Sequence, residues 1–454
     1  MRTALAPSWY KPSPSRQRVA LIESILIKPH LSDRINFGFY IILAAQFFSA
    51  LADNALLIAA IAMLRDRHAP TSYEPLLKTC FTISYVVLAA FVGAFADSMP
   101  KWRVMFISNG IKIFGCALMI FGLHPLVAYA IVGLGAATYS PAKYGILTEY
   151  LPHRLLVVAN GWIEGLTVIA IIMGTALGGM LVRPEIAQPL LALDLPFIHT
   201  RIGSIAEMNL IVIGAIYLVA AVFNLYIPDT GVDHTVLKKN PLYLLHDFNH
   251  SLKLLWRDKL GQISLAVTTL FWGAGATLQF IVIDWAKVSM GLDLTKASLM
   301  QGVVALGVAT GAVLAARLIT LKKSVRVIPM GIMMGLVVIG MVFVRDLRLA
   351  VPLLILIGVL SGFFVVPMNA LLQHRGHILM GAGHSIAVQN FSENLSILVM
   401  TGVYALMIWA QLSIYAIVVL FGLCVAGLML LIKRRHELNQ RQFDAVALLD
   451  DRHY

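Results

Sequence analysis

Residues 38–64 read GFYIILAAQFFSALADNALLIAAIAML, and this run of 27 residues contains a single charged side chain, Asp53. A helix that crosses a bilayer needs about 20 mainly apolar residues, so the run is long enough to span one. An ionisable side chain at mid-membrane costs about 2.5–3.5 kcal/mol and persists mainly where it lines a polar path or pairs with another charge. The stretch therefore predicts a membrane-spanning helix that contains a functional or structural charge.

The composition of the whole chain indicates an integral membrane protein. Of its 454 residues, 59% are hydrophobic and 13% are charged, against about 45–50% and about 25% in soluble domains. A soluble fold of this composition would expose large apolar patches to water. This excludes a cytosolic enzyme, a secreted disulfide-bonded domain and a disordered chain. The cysteines Cys80, Cys116 and Cys424 have no paired spacing, so we expect neither a disulfide framework nor a metal site.

Twelve apolar stretches are long enough to cross the membrane. An outer-membrane barrel would show segments of about ten residues with alternating polarity, and such alternation does not dominate this sequence. The predicted fold is therefore an all-α membrane protein with twelve transmembrane helices in two six-helix pseudo-repeats. The predicted spans lie at 38–64, 77–96, 104–123, 125–147, 159–182, 208–227, 261–283, 298–317, 326–344, 350–373, 384–409 and 412–432.

Lysine and arginine are distributed unevenly between the two sets of segments that these spans separate. One set, which includes both termini, contains 24 of these residues, and the other contains 9. Because basic residues concentrate on the cytoplasmic side, we expect both termini in the cytoplasm. Contact of the basic loops with anionic lipid headgroups also accounts for the net charge of +12 without nucleic acid.

The spans divide the chain into five regions. These are a cytoplasmic N-terminal segment at 1–37, a six-helix bundle at 38–227, a cytoplasmic linker at 228–260, a second six-helix bundle at 261–432 and a cytoplasmic tail at 433–454. Within the linker, leucine and phenylalanine recur at three- and four-residue steps over 242–255, which predicts an amphipathic helix. This helix either lies on the membrane surface as a connector or has a regulatory or partner-docking role.

The two halves share features at corresponding positions, as expected of a duplicated bundle. Predicted spans 4 and 10 each contain a proline, Pro141 or Pro367, with Lys143 or Asn369 two positions later. A proline inside a helix removes a backbone hydrogen bond, so we expect the segment around Pro141 to be irregular and polar. Spans 5 and 11 each carry an amide four residues before a glutamate, in the pairs Asn160 with Glu164 and Gln389 with Glu393.

Five ionisable side chains fall inside predicted spans, namely Asp53, Lys112, Lys143, Glu164 and Glu393. Asp53 and Lys143 either line a transport path or form a structural ion pair between helices. Glu164 and Glu393 either line the same path or face the cytoplasmic headgroups. Lys112 can extend its ammonium group toward the membrane surface, so we expect a smaller role for it.

The turn between predicted spans 2 and 3 brings acidic and basic side chains together. Asp97 ends span 2, and Lys101 and Arg103 begin span 3. A carboxylate that faces basic groups of the next helix can hold one conformation, so this turn is a candidate gate. The alternative is ordinary surface charge.

Sequence signatures of enzymes do not rise above this background. We find no Gly-rich phosphate loop, no nucleophile elbow and no zinc motif. A lipid-modifying enzyme would need a nucleophile and a base on facing helices, and no candidate pair is visible. We therefore expect no enzyme, no cofactor and no bound metal.

Several longer motifs support a family assignment. The turn at 93–103, GAFADSMPKWR, and the twelve spans resemble the major facilitator superfamily, although Pro100 and Trp102 depart from its usual pattern. Within that superfamily, the chain resembles the lysophospholipid transporter family over about 38–432. The motifs that carry this resemblance are AQFFSALADNALL at 45–57, YSPAKYGIL at 139–147, FWGAG at 271–275, GFFVVPMNALLQ at 362–373 and AVQNFSEN at 387–394.

The resemblance implies a flippase that moves lysophospholipids, chiefly lysophosphatidylethanolamine, from the outer to the inner leaflet of the bacterial inner membrane. An acyltransferase on the cytoplasmic side would then restore the second chain. Asp53, Lys143 and the segment around Glu393 would line the path. Members of the family carry an arginine in span 7 where this chain has Gln279. If that arginine contacts the lipid phosphate, its loss alters the headgroup contacts or the substrate range.

The charged positions and the motifs together predict a set of site residues and partners. The expected substrate-binding residues are Asp53, Asn54, Lys143, Tyr144, Asn160, Glu164, Trp272, Gln279, Asn369, Gln389, Asn390 and Glu393, and the expected gating residues are Asp97, Lys101 and Arg103. The expected partners are a lysophospholipid, membrane lipids and a functionally coupled acyltransferase, and we expect a monomer. The alternative function is a proton-coupled exporter of drugs or small solutes, in which Asp53 or Glu164 would titrate.

Overall fold

The computed structural model is helical almost throughout the residues it describes. No β-strand occurs in those ranges. The first 35 residues, which make up most of the predicted N-terminal segment, lie outside them. The described residues are 36–70, 73–182, 185–186, 188, 205–234, 238, 240–292, 294–447 and 449.

Fourteen helices form the body of this described part. We number them in chain order as α1 (Phe37–Asp66), α2 (Tyr73–Val87), α3 (Ala89–Asp97), α4 (Lys101–Ile120), α5 (Pro125–Tyr150), α6 (Leu156–Leu181), α7 (Ile205–Leu225), α8 (Pro241–Arg257), α9 (Gly261–Met290), α10 (Leu294–Leu318), α11 (Ile328–Ile339), α12 (Leu347–Met380), α13 (Ala382–Trp409) and α14 (Ile414–Gln442). Short 3-10 turns flank α6 and α11.

The helices account for the twelve predicted spans. Ten helical segments of the described ranges are long and apolar enough to cross a membrane, and the bent pair α2 and α3 adds an eleventh. The remaining predicted span, 125–147, corresponds to the 26-residue helix α5, which packs against α4 and α2 but is less apolar than the other eleven. The predicted all-α fold with twelve transmembrane helices is thus confirmed.

Three local features differ from the sequence-based expectation. Span 2 is broken at Leu88, where its two helices meet at 62°. The helix α5 runs without interruption through Pro141, so the expected irregular segment there is wrong. Proline removes one backbone hydrogen bond of the helix, and the turns on either side of Pro141 remain helical. The last helix, α14, continues for ten residues past 432. A helix can extend beyond the membrane where its side chains are polar.

The outer surface of the bundle is strongly apolar. Large side chains that point away from the core include Phe114, Leu218, Val399 and Leu406, which are 57–64% exposed. A continuous surface of this kind is unstable in water and matches the hydrocarbon of a bilayer.

The linker helix α8 separates two halves, which we call the N-terminal half (α1–α7) and the C-terminal half (α9–α14). The halves meet through α6 with α10 and α12, and through α13 with α3 and α5. Small residues allow this approach, since a Cβ atom on Gly161 would lie 2.6 Å from the Cβ atom of Ala316. We call the end of the bundle at which α8 lies the linker end.

The linker helix packs on both halves, against α3 of the N-terminal half and against α9, α12 and α13 of the C-terminal half. Its Leu255 is fully buried in a cluster with Leu265, Leu372 and Val388, and its Phe248 contacts Phe391 edge to face. The side chain of Asn240 caps its first turn, and Pro241 occupies the first helical position, where proline is favoured. The predicted amphipathic helix is therefore present.

Candidate functional site

Asp53 belongs to a charge network inside the N-terminal half. Its carboxylate pairs with the ammonium group of Lys112 at 2.8 Å and accepts a hydrogen bond of 2.6 Å from the hydroxyl of Tyr217. Lys112 is 1% exposed, donates a further hydrogen bond to Ser49, and lies over the ring of Tyr139. An ion pair of Asp53 with Lys143, which was one of the two alternatives for these residues, is not formed in this structure. Lys112 neutralises Asp53 instead, and it is buried rather than extended to the membrane surface.

Lys143 lies on α5 three residues after Ser140, which contacts Asn390 of the C-terminal half. It is half-buried, and its ammonium group lies 4.6 Å from the centre of the Tyr144 ring. Among the described residues, it forms no ion pair. The hydroxyl of Tyr144 donates a hydrogen bond of 3.1 Å to Glu164, which is 7% exposed. Lys143, a cation without an ion pair among the described residues, is therefore adjacent in sequence to Tyr144, which contacts the buried carboxylate of Glu164.

The C-terminal half contributes a second buried carboxylate. Glu393 on α13 is 6% exposed and accepts a hydrogen bond of 2.7 Å from Gln389, one turn earlier. Gln389 also donates to Asn369 on α12, whose amide in turn lies 3.5 Å from Glu164 of the other half. The two glutamates thus flank one chain of amides, and neither of them faces the headgroups, which was the alternative for these residues.

Two reciprocal side-chain pairs join the halves near these carboxylates. The amides of Asn160 on α6 and Gln373 on α12 donate to each other, both at 2.8 Å. Ser140 on α5 and Asn390 on α13 exchange hydrogen bonds of 3.2 and 2.9 Å. The four side chains are all less than 9% exposed. Asn160 and Asn390, expected to bind substrate, therefore bind across the interface in this conformation.

Asp97 connects the halves at the linker end. Its carboxylate accepts hydrogen bonds from the backbone amides of Gly383 and His384 at 2.7 and 3.0 Å, at the first turn of α13. This helix end carries a partial positive charge that favours an anion. Asp97 also pairs with Lys101 at 2.9 Å, and Lys101 pairs with Glu149 at 3.1 Å. These contacts join α3 of the N-terminal half to the first turn of α13 at the linker end.

Four of the expected residues lie apart from these networks. Asn54 donates to the carbonyl oxygen of Ala50 in its own helix. Trp272 contacts Phe271, which in turn contacts Phe364. The side chain of Gln279 is exposed. Arg103 is exposed and lies over the ring of Trp102, so the structure does not bring it to the gate.

The sequence analysis gave Lys112 a smaller role and did not single out Gln373, and both residues belong to these networks. Lys112 was visible as a mid-span charge, but its partner could not be known without the packing of α1 on α4. Gln373 ends the motif at 362–373, and its buried amide pairs with Asn160. A signal for Gln373 was available, because a polar residue one turn after Asn369 shares its helix face.

The chain matches the profile of the Major Facilitator Superfamily over residues 42–401. The fold, with a buried polar interface between two helical halves, is that of a membrane transporter of this class. Similar proteins include the lysophospholipid transporter LplT of Yersinia enterocolitica, 40% identical over 85% of this chain and 90% of its own length. The transporter of the same name from Yersinia pestis is 41% identical over 81% of this chain and 86% of its own. The chain therefore belongs to the Major Facilitator Superfamily and, within it, to the lysophospholipid transporter family.

Solved structures confirm the fold. The human organic anion transporter MFSD10 and the bacterial transporter FucP in an outward conformation both align with a TM-score of 0.68 at 14% identity. Each alignment covers 88% of this chain and 98% of the other. A bacterial homologue of ferroportin in an outward-facing state aligns with a TM-score of 0.66 and covers 89% of this chain and 100% of its own. At this identity the likeness concerns the architecture alone.

Proposed function

We propose that the protein transports lysophospholipids across the bilayer, as the name of its relatives states for them. The observation that best supports this is Lys143, a half-buried cation with no ion pair among the described residues, on the stretch of α5 that contacts the C-terminal half through Ser140. A phosphate group supplies the negatively charged partner that this cation lacks. The glutamates of the same interface supply the opposite charge.

The proposed headgroup contacts follow from these charges. Lys143 binds the phosphate, and Glu164 or Glu393 accepts hydrogen bonds from the ammonium group of an ethanolamine headgroup. A zwitterion then leaves neither charge uncompensated in a medium of low dielectric constant. Asp53 plays a supporting part, because Lys112 and Tyr217 already satisfy it. This assignment favours lysophosphatidylethanolamine over lipids without an amine.

The acyl chain needs an apolar environment throughout the movement. Each methylene exposed to water costs about 0.8 kcal/mol, so a sixteen-carbon chain in water costs on the order of 12 kcal/mol. Phe271 of α9 contacts two other aromatic side chains, Trp272 of the same helix and Phe364 of α12. We propose that the tail stays in lipid or along such apolar surfaces while the headgroup crosses on the polar ones.

The cellular setting of this activity is also a proposal. The excess of basic residues on the side of the termini and linker supports cytoplasmic termini and an inner-membrane location. Movement then runs from the outer to the inner leaflet, and a cytoplasmic acyltransferase uses the delivered lipid. We propose that the monomer is the transporting unit, because one chain supplies both halves of the site.

Transport of this kind requires the linker end to open and close. We propose that the contacts of Asp97, the Asn160–Gln373 pair and the Ser140–Asn390 pair hold the linker end closed. Opening replaces contacts made only in the closed state, so these side chains set the balance between states.

Lys143 provides the direct test of the headgroup assignment. In proteoliposomes, Lys143→Met should lower lysophosphatidylethanolamine transport at least tenfold, because one hydrogen bond between charged groups is worth about 1.5–3 kcal/mol. Lys287→Met is the matched control, since Lys287 is 40% exposed and lies 3.9 Å from Asp284, away from this interface. Equal transport by the two variants would remove Lys143 from the site.

The second candidate function is proton-coupled transport of a small solute. Two buried carboxylates, Glu164 and Glu393, lack a basic partner within ion-pair distance among the described residues, which favours proton binding. Transport driven by an imposed pH gradient, and abolished by Glu393→Gln, would support this function. Lysophospholipid transport without any gradient would argue against coupling.

A further inference from the structure

His384 lies between two carboxylates that belong to different parts of the chain. Its Nδ1 atom is 2.6 Å from Asp97 of α3, and its Nε2 atom is 3.1 Å from Asp247 of the linker helix α8. The side chain of His384 is 15% exposed, and those of Asp97 and Asp247 are 10% and 33% exposed. A carboxylate accepts hydrogen bonds only, so both contacts are satisfied together when both ring nitrogens carry a proton.

We propose that the linker helix is part of the gate, and that Asp247 is a positioning residue that holds His384 against Asp97. The protonated ring then joins the N-terminal half, the C-terminal half and the linker in the closed state. When the ring loses one proton it can donate to only one of the two carboxylates. Closure of the linker end is therefore strongest at acidic pH and weakens as the pH rises through the range in which histidine titrates.

The anchoring of α8 supports this role for Asp247. The helix is fixed on the C-terminal half by Leu255 and Phe248, and Arg375 binds Asp258 just beyond its end. This rigid attachment fixes the position of Asp247. Asp247 lies one residue before Phe248, on the side of α8 that faces the bundle. Asp247 therefore restrains the ring in the way that an acceptor behind a functional histidine restrains its orientation.

Other ionisable groups around the ring set the size of the effect. Lys101 also pairs with Asp97 and keeps part of the closure at alkaline pH, and Glu149 holds Lys101 in place. We therefore expect the closed state to become less populated, rather than to disappear. The groups that face this junction are Asp97 on α3, Lys101 on α4, Glu149 on α5, Asp247 on α8 and His377 on α12.

A distance measurement between the halves tests the proposal without any substrate. Spin labels are placed at Asp229→Cys and Lys323→Cys, two exposed positions at the linker end, in full-length protein in lipid nanodiscs. The native cysteines are replaced by alanine. Pulsed electron paramagnetic resonance at pH 6 and pH 9 gives the ratio of open to closed states. We expect this ratio to rise on the order of tenfold, as for the loss of one hydrogen bond to a charged group.

Four variants separate the outcomes. Asp247→Asn should raise the open fraction at pH 6 and reduce the pH response, and Asp247→Glu should restore the response. His384→Gln should abolish it. His250→Gln is the matched control, because His250 is exposed on the same helix, and it should behave like the parent. An unchanged response in Asp247→Asn, or a retained one in His384→Gln, would overturn the proposal whether or not the protein carries lysophospholipids.

Discussion

Asp53 and Lys112 neutralise each other between α1 and α4. Lys112 has almost no contact with solvent, and its ammonium group has Ser49 as its other hydrogen-bond partner. Removing one member of a buried ion pair leaves an uncompensated charge and costs about 3–5 kcal/mol, whereas removing both costs far less. The pair is therefore first a stabilising contact between helices of one half.

We predict that Lys112→Met strongly lowers the thermal stability of the purified protein, because it leaves Asp53 charged and unpaired. The double variant Asp53→Asn with Lys112→Met should recover most of the loss. Thermal unfolding followed by tryptophan fluorescence measures both effects. Lys143→Met serves as the control and should change stability little, since Lys143 has no ion pair among the described residues. A double variant as unstable as Lys112→Met alone would contradict the pairing.

The Asn160–Gln373 pair allows a second test at the same scale. Each amide loses its partner when the other is replaced, and a buried unsatisfied amide costs about 1–3 kcal/mol. Asn160→Leu and Gln373→Leu should each reduce the closed population of the linker end, measured by the same pair of spin labels. The double variant should restore closure toward the parent level. Additive losses would show that the two side chains do not act together.

The sequence predicted charged positions better than their partners. Asp53, Lys143, Glu164 and Glu393 stood out because an apolar span makes each charge conspicuous. The partner of Asp53 could not be predicted, because hydropathy describes each span alone and says nothing of which helix packs beside it. The amides of the interface were expected to bind substrate, and the structure instead joins them across the two halves.

At the scale of helices, small residues determine how closely the halves approach. Gly161 of α6 faces Ala316 of α10, with its Cβ position 2.6 Å from the alanine Cβ atom. Gly165, one turn later on the same helix, has open space at its Cβ position. The two glycines therefore form a matched pair with the same backbone conformation.

We predict that Gly161→Val prevents full closure of the linker end, because its side chain would overlap α10. Gly165→Val should close normally. Crosslinking or spin-label distances between Asp229→Cys and Lys323→Cys report the closure. Since valine lowers helix propensity equally at both positions, the difference between the variants isolates the contact between the halves. Normal closure of Gly161→Val would show that α6 and α10 need not touch.

The helices themselves were largely predictable, and their breaks were not. Apolar length predicted a helix at each of twelve positions, and ten or eleven helical segments of the described residues are long and apolar enough to span a bilayer. The bend at Leu88 and the continuous helix through Pro141 depend on neighbouring helices, so no local pattern predicts them. The amphipathic linker helix was predictable from its periodicity, but its role in contacting His384 was not.

The distribution of basic residues predicts how the whole molecule is oriented in the membrane. Because Lys and Arg concentrate at the termini and the linker, Asn240→Cys should resist impermeant thiol reagents in intact spheroplasts. Pro70→Cys lies just beyond the C-terminal end of α1, on the other side of the membrane in this topology, and should be labelled. Both residues are exposed, so burial does not bias the comparison. Labelling of Asn240→Cys from outside would reverse the proposed topology.

We propose that the molecule moves single-chain phospholipids by their headgroups while the tail remains in an apolar environment. A second acyl chain would need room beside the same polar interface, and a headgroup without a chain would lose the contribution of about 0.8 kcal/mol for each methylene.

Uptake of radiolabelled lipids into spheroplasts of cells with and without the protein tests this claim most directly. We predict protein-dependent uptake of lysophosphatidylethanolamine with little dependence on acyl length, and little uptake of diacyl phosphatidylethanolamine or glycerophosphoethanolamine. Equal uptake of the diacyl lipid would contradict the proposed transport of single-chain phospholipids. Uptake of the chain-free headgroup as fast as that of the lysolipid would contradict it as well.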